Sequence, residues 1–269
     1  MKVSYFPGCT LRTKAKDLDE YARRAAAALG IELSELDEWQ CCGGSYVGAS
    51  DDVASKLASV RALAAAAERG EPLVTVCSAC HHVIKRTNEE MKKNKTFADK
   101  ARRYLSQADE VGKDYAGETE VLHYLELLRD KVGFDAVRAA VKKPLAGKRI
   151  AAYYGCLLLR PSKTMQMDDP ENPQVMENLI RALGAEAVIY PQRNACCGGY
   201  NLIESPAAAK TRSAAVLESA KNHGAEMIVT ACPLCKYNLE KSGVDLPVVY
   251  LSELLAEALG VKEDGTNDK

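Results

Sequence analysis

The chain has 269 residues, 47% of them hydrophobic, enough for one large domain or two of ordinary size with real cores. Its formal net charge of -1, from 36 Lys and Arg against 37 Asp and Glu, excludes the basic footprint of a nucleic-acid binder. No run of eighteen apolar residues offers a membrane span, and Met1–Phe6 lacks the apolar stretch of a secretory signal, so a cytoplasmic protein is expected.

In chain order, Val3–Phe6 reads as a short strand leading to Cys9, and Asp17–Leu29 as an alanine-rich amphipathic helix closed by Gly30. Ile31–Leu36 alternates like a strand and delivers the chain to Cys41-Cys42-Gly43-Gly44. Adjacent cysteines point to opposite faces of a strand and diverge by about 100° on a helix, so both aim at one centre only across a tight turn. The two glycines supply the backbone freedom for that turn. Ser50 reads as the N-cap of a helix from Asp51 to Arg69, stopped by Gly70; Leu73–Val76 is a buried strand ending at Cys77, with a helix beginning at or just after Cys80. The charged stretch at about 85–117 has helical character and is expected to be a surface helix pair, with a partner-docking element as the alternative. Lys142–Lys148, with Pro144 and Gly147, reads as a linker.

The order then repeats. Ile150–Tyr154 is a strand leading to Cys156, Gln174–Leu183 a helix closed by Gly184, and Ala187–Tyr190 a strand before Cys196-Cys197-Gly198-Gly199. A helix capped by Ser205, with Pro206 at its first position, runs to about Asn222, and strand Met227–Thr230 precedes Cys232. Val121–Leu128 is echoed by Val248–Leu255, and a polar tail at 263–269 is expected to be disordered. Repeated βα units of this length predict an α/β fold of two duplicated small parallel-sheet domains, at about 1–145 and 146–262, related by a pseudo-two-fold axis.

The cysteines follow the duplication with none left over. Cys9, Cys41, Cys42, Cys77 and Cys80 form one set; Cys156, Cys196, Cys197, Cys232 and Cys235 form the other. Each set reads as a lone cysteine, a long gap, a Cys-Cys pair, thirty-four residues, then CxxC, and residues 41–80 superimpose on 196–235 at a constant offset of 155. Buried cysteines also serve as small hydrophobes, but that role does not place Cys-Cys-Gly-Gly in the chain twice. A reducing compartment favours metal ligation over disulfides. Zinc sites close with four ligands and an ordinary iron–sulfur cube takes four cysteines, so five sulfurs exceed both. Iron–sulfur is the stronger reading; spacing alone does not say what a five-thiolate cluster looks like. Every cysteine group falls at the carboxyl end of an expected strand, where open α/β sheets place ligands. A helix opening at CxxC aims N–H groups at an anionic centre.

Two copies of this pattern, with Tyr-Phe-Pro-Gly-Cys at 5–9 and Tyr-Tyr-Gly-Cys-Leu-Leu-Leu-Arg-Pro at 153–161, resemble the B subunit of heterodisulfide reductase over residues 1–260. The resemblance implies that each cysteine-rich (CCG) domain binds a noncubane [4Fe-4S] cluster, a 3Fe and a 2Fe unit sharing one iron, held by its five cysteines. It also implies that a small disulfide sits between the two clusters, each delivering one electron to one sulfur. Implied partners are a ferredoxin-like C subunit and a flavin-bearing A subunit. Related CCG domains occur in subunits for glycolate and lactate oxidation, fumarate reduction and succinate dehydrogenation, so a non-catalytic electron relay is the competing function. This chain has no CxxCxxCxxxCP motif and no GxGxxG after a strand, so electrons are expected from another polypeptide and no flavin or nicotinamide is expected here.

Substrates of that family are anionic, which makes Arg160, Lys163 and the weaker match Arg12 candidate substrate contacts, with ordinary surface cations as the alternative. His81 and His82 follow Cys80 directly, and one of them could face the cluster or the substrate gap. His123 lies on an expected buried strand as a core residue, and His223 ends a helix where it can meet the last carbonyls.

Overall fold

The computed structural model describes residues 1–37, 39–44, 53–108, 112 and 114–262. The first half runs β1 (Lys2–Tyr5), α1 (Cys9–Thr13), α2 (Lys16–Ala28), β2 (Glu32–Glu35), α3 (Leu57–Glu68), β3 (Leu73–Thr75), α4 (Ser78–Lys93), α5 (Lys95–Ala108) and β4 (Val121–His123). Behind β4, α6 (Tyr124–Glu126) continues as a π-helical stretch, Leu127–Val132, and α7 (Phe134–Ala140) leads to the second half. That half runs β5 (Arg149–Tyr153), α8 (Ser162–Met165), α9 (Val175–Ala182), β6 (Glu186–Val188), α10 (Pro206–Asn222), β7 (Met227–Thr230), α11 (Pro233–Glu240), β8 (Val248–Tyr250) and α12 (Leu251–Ala258).

Both halves build a four-stranded parallel sheet of the same topology, β2-β1-β3-β4 and β6-β5-β7-β8. In this order the chain leaves the first strand to one side and returns on the other. The crevice at the carboxyl ends of β1 and β3, and of β5 and β7, is therefore the switch point where such sheets hold ligands. Cys9 and Cys77 flank the first crevice, and Cys156 and Cys232 the second.

Period-two alternation divides the core. On β5, Ile150 and Ala152 face a core shared with the first half, whereas Ala151 and Tyr153 face a smaller core under α10 and α11. Val229 and Tyr250 face the shared side as well, and Ile228 and Val248 the other. The second sheet is thus covered on both faces by its own helices, α10 and α11 on one and α9 and α12 on the other, and the latter pair carries the contact with the first half. Helix α12 lies against α2, where the Ser252 hydroxyl donates to the Leu18 carbonyl at 2.7 Å in a buried contact.

The expected elements all form, with shifted edges. The helix expected to open at Asp51 begins with a 3-10 turn at Ala54–Lys56, and its expected cap at Ser50 lies outside the described residues, as does the tail at 263–269. The helix expected after Cys80 begins earlier, inside the CxxC, with Cys77 as its N-cap residue. The charged insertion forms the end of α4 and all of α5. It is solvated on only one side: Phe97, Ala98, Ala101 and Leu105 are buried, and α5 packs on α3 and α4.

Candidate metal centres

Each cysteine set converges in pairs. In the first, Cys9 and Cys41 Sγ lie 3.6 Å apart and Cys42 and Cys80 Sγ 3.5 Å apart. In the second, Cys197 and Cys235 Sγ are also 3.5 Å apart, and Cys156 shares a hydrogen bond with Cys196. All ten thiols are free. Equivalent cysteines therefore pair in the same way, as the duplication leads one to expect.

Two backbone features bring them together. Gly8 and Gly155, immediately before the lone cysteines, have φ of +78° and +65°. A Cβ on Gly8 would come to 2.7 Å from Cys80 Sγ, and one on Gly155 to 3.3 Å from Cys235 Sγ. The chain entering each lone cysteine passes directly over the last cysteine of the CxxC, at a positive φ that favours glycine and, at Gly8, with no room for a side chain. In the Cys-Cys-Gly-Gly turns Gly43 and Gly198 both sit at φ +82°. The second turn is held by Tyr153 Oη donating to the Ala195 carbonyl at 2.8 Å and by the Ser213 hydroxyl donating to the Cys197 carbonyl at 2.9 Å.

Hydrogen bonds among the thiols set their acidities. Cys42 and Cys196 are drawn well below the ordinary thiol range by the S–H groups of Cys41 and Cys156 respectively. Cys80 and Cys235 are pushed up, mainly by donating to Cys42 and Cys197, with burial adding to it. One thiol in each group ionises only at its neighbours' expense. A positive centre removes that conflict and lets every sulfur bind as thiolate. The helix starts at Cys77 and Cys232 add favourable dipoles, and the Gly198 N–H donates to Cys196 Sγ at 3.4 Å. Among the described residues no three His, Cys, Asp or Glu side chains converge on a point suited to one metal ion. The sulfurs instead ring an opening. In the second half this is a space of about 340 Å³, partly open to solvent, lined by all five cysteines of the set. Paired thiols around a shared space fit a polynuclear iron–sulfur cluster better than a tetrahedral zinc ion.

The first CxxC reaches this space. Ser78, inside the first CxxC, lines the second space, and both its N–H and its hydroxyl donate to the Ala231 carbonyl, at 3.0 and 2.7 Å. Ala79 packs against the core that contains Cys232 and Cys235.

The other candidates are placed as follows. His81 is fully buried, with Nε2 2.9 Å from Glu126 Oε2, and its ring stacks edge-on to His123 at 5.5 Å. Lys85 Nζ joins the same carboxylate at 2.8 Å and donates to the Met165 carbonyl of the second half at 2.7 Å. Burial lowers both histidines, His123 to about 3. His82 reaches the other half, Nδ1 lying 3.0 Å from the carbonyl of Leu157, the residue after Cys156. Arg160 is tied to Glu171 at 2.8 Å and to the Pro170 carbonyl, and Arg12 pairs with Glu35 at 3.4 Å. Lys163 is exposed on α8, which packs on α4. His223 Nδ1 meets the Ser219 carbonyl at 2.7 Å at the end of α10.

Sequence reasoning passed over Gly8, Gly155 and Ser78. The first two had a signal, since glycine precedes the lone cysteine in both halves. Ser78 had none, because its partner is 153 residues away.

Comparison with known proteins agrees with this arrangement. The CCG cysteine-rich domain family matches residues 3–85 and again 150–240. The chain is 32% identical to the 8-methylmenaquinol:fumarate reductase membrane anchor subunit of Wolinella succinogenes, covering 99% of this chain and 95% of that protein. It is 30% identical to the B subunit of the ferredoxin/F420H2-dependent CoB-CoM heterodisulfide reductase of Methanosarcina acetivorans, covering 98% and 91%. A protein of Archaeoglobus profundus described as like the heterodisulfide reductase B subunit is also 30% identical, over 97% and 91%. Among solved structures, a hypothetical protein from Helicobacter pylori shares the fold with a TM-score of 0.76 at 14% identity. The match covers 97% of this chain, which spans about half (49%) of that one.

Proposed function

The chain belongs to the CCG cysteine-rich domain family, in its heterodisulfide reductase B-like group, and on that footing we propose that it is the catalytic iron–sulfur subunit of a disulfide reductase complex. Residues 1–145 and 146–262 are the two repeat units. Cys9, Cys41, Cys42, Cys77 and Cys80 hold one noncubane [4Fe-4S] cluster, and Cys156, Cys196, Cys197, Cys232 and Cys235 the other. When bound, such clusters would supply single electrons, so a pair of them matches the two electrons that, with two protons from solvent, turn one disulfide into two thiols.

The observation that carries this reading is the contact between the CxxC loops. Ser78 of the first CxxC is hydrogen-bonded to Ala231 and lines the second opening, which supports a small disulfide bound between the two sets. The residues around that interface have separable tasks. Gly8 and Gly155 let the backbone cross the CxxC sulfurs, α4 and α11 offer their N-termini to anionic centres, and Lys163 is the exposed cation for an anionic substrate. Arg160 and Arg12 are held by carboxylates and serve that role less directly. His81 is sealed inside the His81–Glu126–Lys85 cluster and acts on the first unit from within. Electrons come from partner subunits, an iron–sulfur protein of ferredoxin type and a flavoprotein.

A second reading, an electron-relay subunit without disulfide chemistry, is favoured by the similarity to the fumarate reductase subunit. No described helix is long and apolar enough to cross a membrane. The deciding experiment is anaerobic purification with iron and sulfide analysis, followed by turnover of a small anionic disulfide with a viologen reductant. About eight irons per chain with disulfide cleavage is the expected result. Full iron without cleavage selects the relay, and zinc in place of iron removes both readings.

A further inference from the structure

The duplication supplies an internal control for every residue beside the cysteines. Cys42 and Cys197 are equivalent, each buried and each 3.5 Å from the last cysteine of its CxxC. They differ in the side chain that approaches the sulfur from the following helix. On α11, Asn238 directs Nδ2 at Cys197 Sγ at 3.5 Å. The residue 155 positions earlier is Val83, equally buried on α4 and without a donor.

Asn238 is 3% exposed and sits among apolar side chains, and its Oδ1 has no hydrogen-bond partner. A buried amide with one end unpaired is costly, and the first half shows that valine fits the equivalent place. The amide therefore has a task that packing does not explain. Its orientation is fixed by chemistry: turned over, it would set a carbonyl oxygen against an anionic sulfur, whereas the N–H end opposes that charge.

We propose that Asn238 is a positioning residue for electron transfer, its amide N–H stabilising negative charge on Cys197 and so raising the reduction potential of the second centre. This rests on the iron–sulfur reading above. Hydrogen bonds to cluster sulfurs favour the more negative, reduced state, and solvent does the same. Cys9 and Cys41 are exposed, so the first centre gains by the second route what the second gains by the first. The assignment is accordingly tested by the shift that each substitution causes, and not by the difference between the centres.

The experiment is a potentiometric titration of the anaerobic, iron-loaded protein followed by electron paramagnetic resonance. The signal that survives Cys41→Ser identifies the second centre. N238V is expected to lower the midpoint of that signal alone, with iron content unchanged. The reciprocal V83N is expected to raise the midpoint of the other signal alone, and decides the matter should N238V assemble poorly. Unchanged midpoints in V83N, or in iron-replete N238V, overturn the proposal while leaving the iron–sulfur reading intact. Wild-type protein that takes up no iron overturns both.

Discussion

The phenol of Tyr250 donates a hydrogen bond to the carbonyl oxygen of Val76 at 2.8 Å, across 174 residues of chain. The same hydroxyl reaches the Ala231 carbonyl at 3.2 Å. Val76 and Ala231 are equivalent residues, each immediately before the first cysteine of a CxxC. One buried side chain from the last strand of the second unit thus ties together the backbones that deliver both cysteine pairs. Tyr250→Phe keeps the ring and removes the donor, leaving the Val76 carbonyl without it. It is expected to cost about 1–3 kcal/mol in urea unfolding.

Separate ligand sets imply separable losses. Cys41→Ser should reduce bound iron to about half while the remaining centre keeps its signal, and Cys196→Ser should do the reverse. Iron and sulfide analysis beside electron paramagnetic resonance reads this directly. Equal loss from both units in either variant would mean that the ligands are divided differently.

The glycines before the lone cysteines should differ in sensitivity. Gly8→Ala places a methyl group 2.7 Å from Cys80 Sγ, whereas Gly155→Ala leaves 3.3 Å to Cys235 Sγ. Both also force alanine to a positive φ, at a cost of about 1–2 kcal/mol. Gly8→Ala should therefore lose first-centre iron, and Gly155→Ala should retain most of the second. Equal retention in the two variants would contradict the close passage at Gly8.

Glu126 supplies a pH dependence. Burial raises its carboxyl, but His81 and Lys85 beside it outweigh burial and bring it down to about 2 from an ordinary 4.5. A depressed carboxyl contributes stability that is present above the ordinary value and lost as pH falls toward the folded one. Wild-type stability should therefore decline between about pH 4.5 and 2, by an amount on the order of 2 kcal/mol, and Glu126→Gln should flatten that limb. Unfolding curves at stepped pH, compared between the two proteins, measure the difference.

Lys163→Gln should weaken binding of an anionic disulfide by about 1–3 kcal/mol, with iron content unchanged. Titration of substrate into the loaded protein is the check, and undiminished affinity would remove Lys163 from the substrate contacts.

The fold was legible because its signals are local. Gly30 and Gly184 end helices, Pro206 opens one, and apolar runs such as Met227–Thr230 mark strands whose register follows from the repeat. The grouping of the cysteines was equally plain, since the order of lone cysteine, pair and CxxC recurs, and the sulfurs that the structure brings together fall within those groups. The contacts between the halves were not. Nothing local marks Ser78, Tyr250 or Lys85 as a bridge, because each finds its partner across the pseudo-axis. His81 illustrates the limit from the other side. The pair after Cys80 suggests that one histidine faces the cluster or the substrate gap, but the helix turns His81 inward onto Glu126, and His82 is the neighbour that reaches the Leu157 carbonyl.

The bond from Tyr250 to Val76 and Ala231 also bears on how such a chain could arise. Two separate copies of one half, assembled as a symmetric dimer, would bring two identical side chains to the axis. Two tyrosines would then compete for the same pair of carbonyls, and two histidines would crowd one apolar space. Joined in a single polypeptide, the equivalent positions are free to diverge. Tyr250 meets both carbonyls with a hydroxyl, while the His123 imidazole lies beside the same two carbonyls and accepts from the Leu125 amide at Nδ1. Fusion of the halves therefore released the residues on the axis from having to match themselves, and a shared surface became a place where two units can be made unequal.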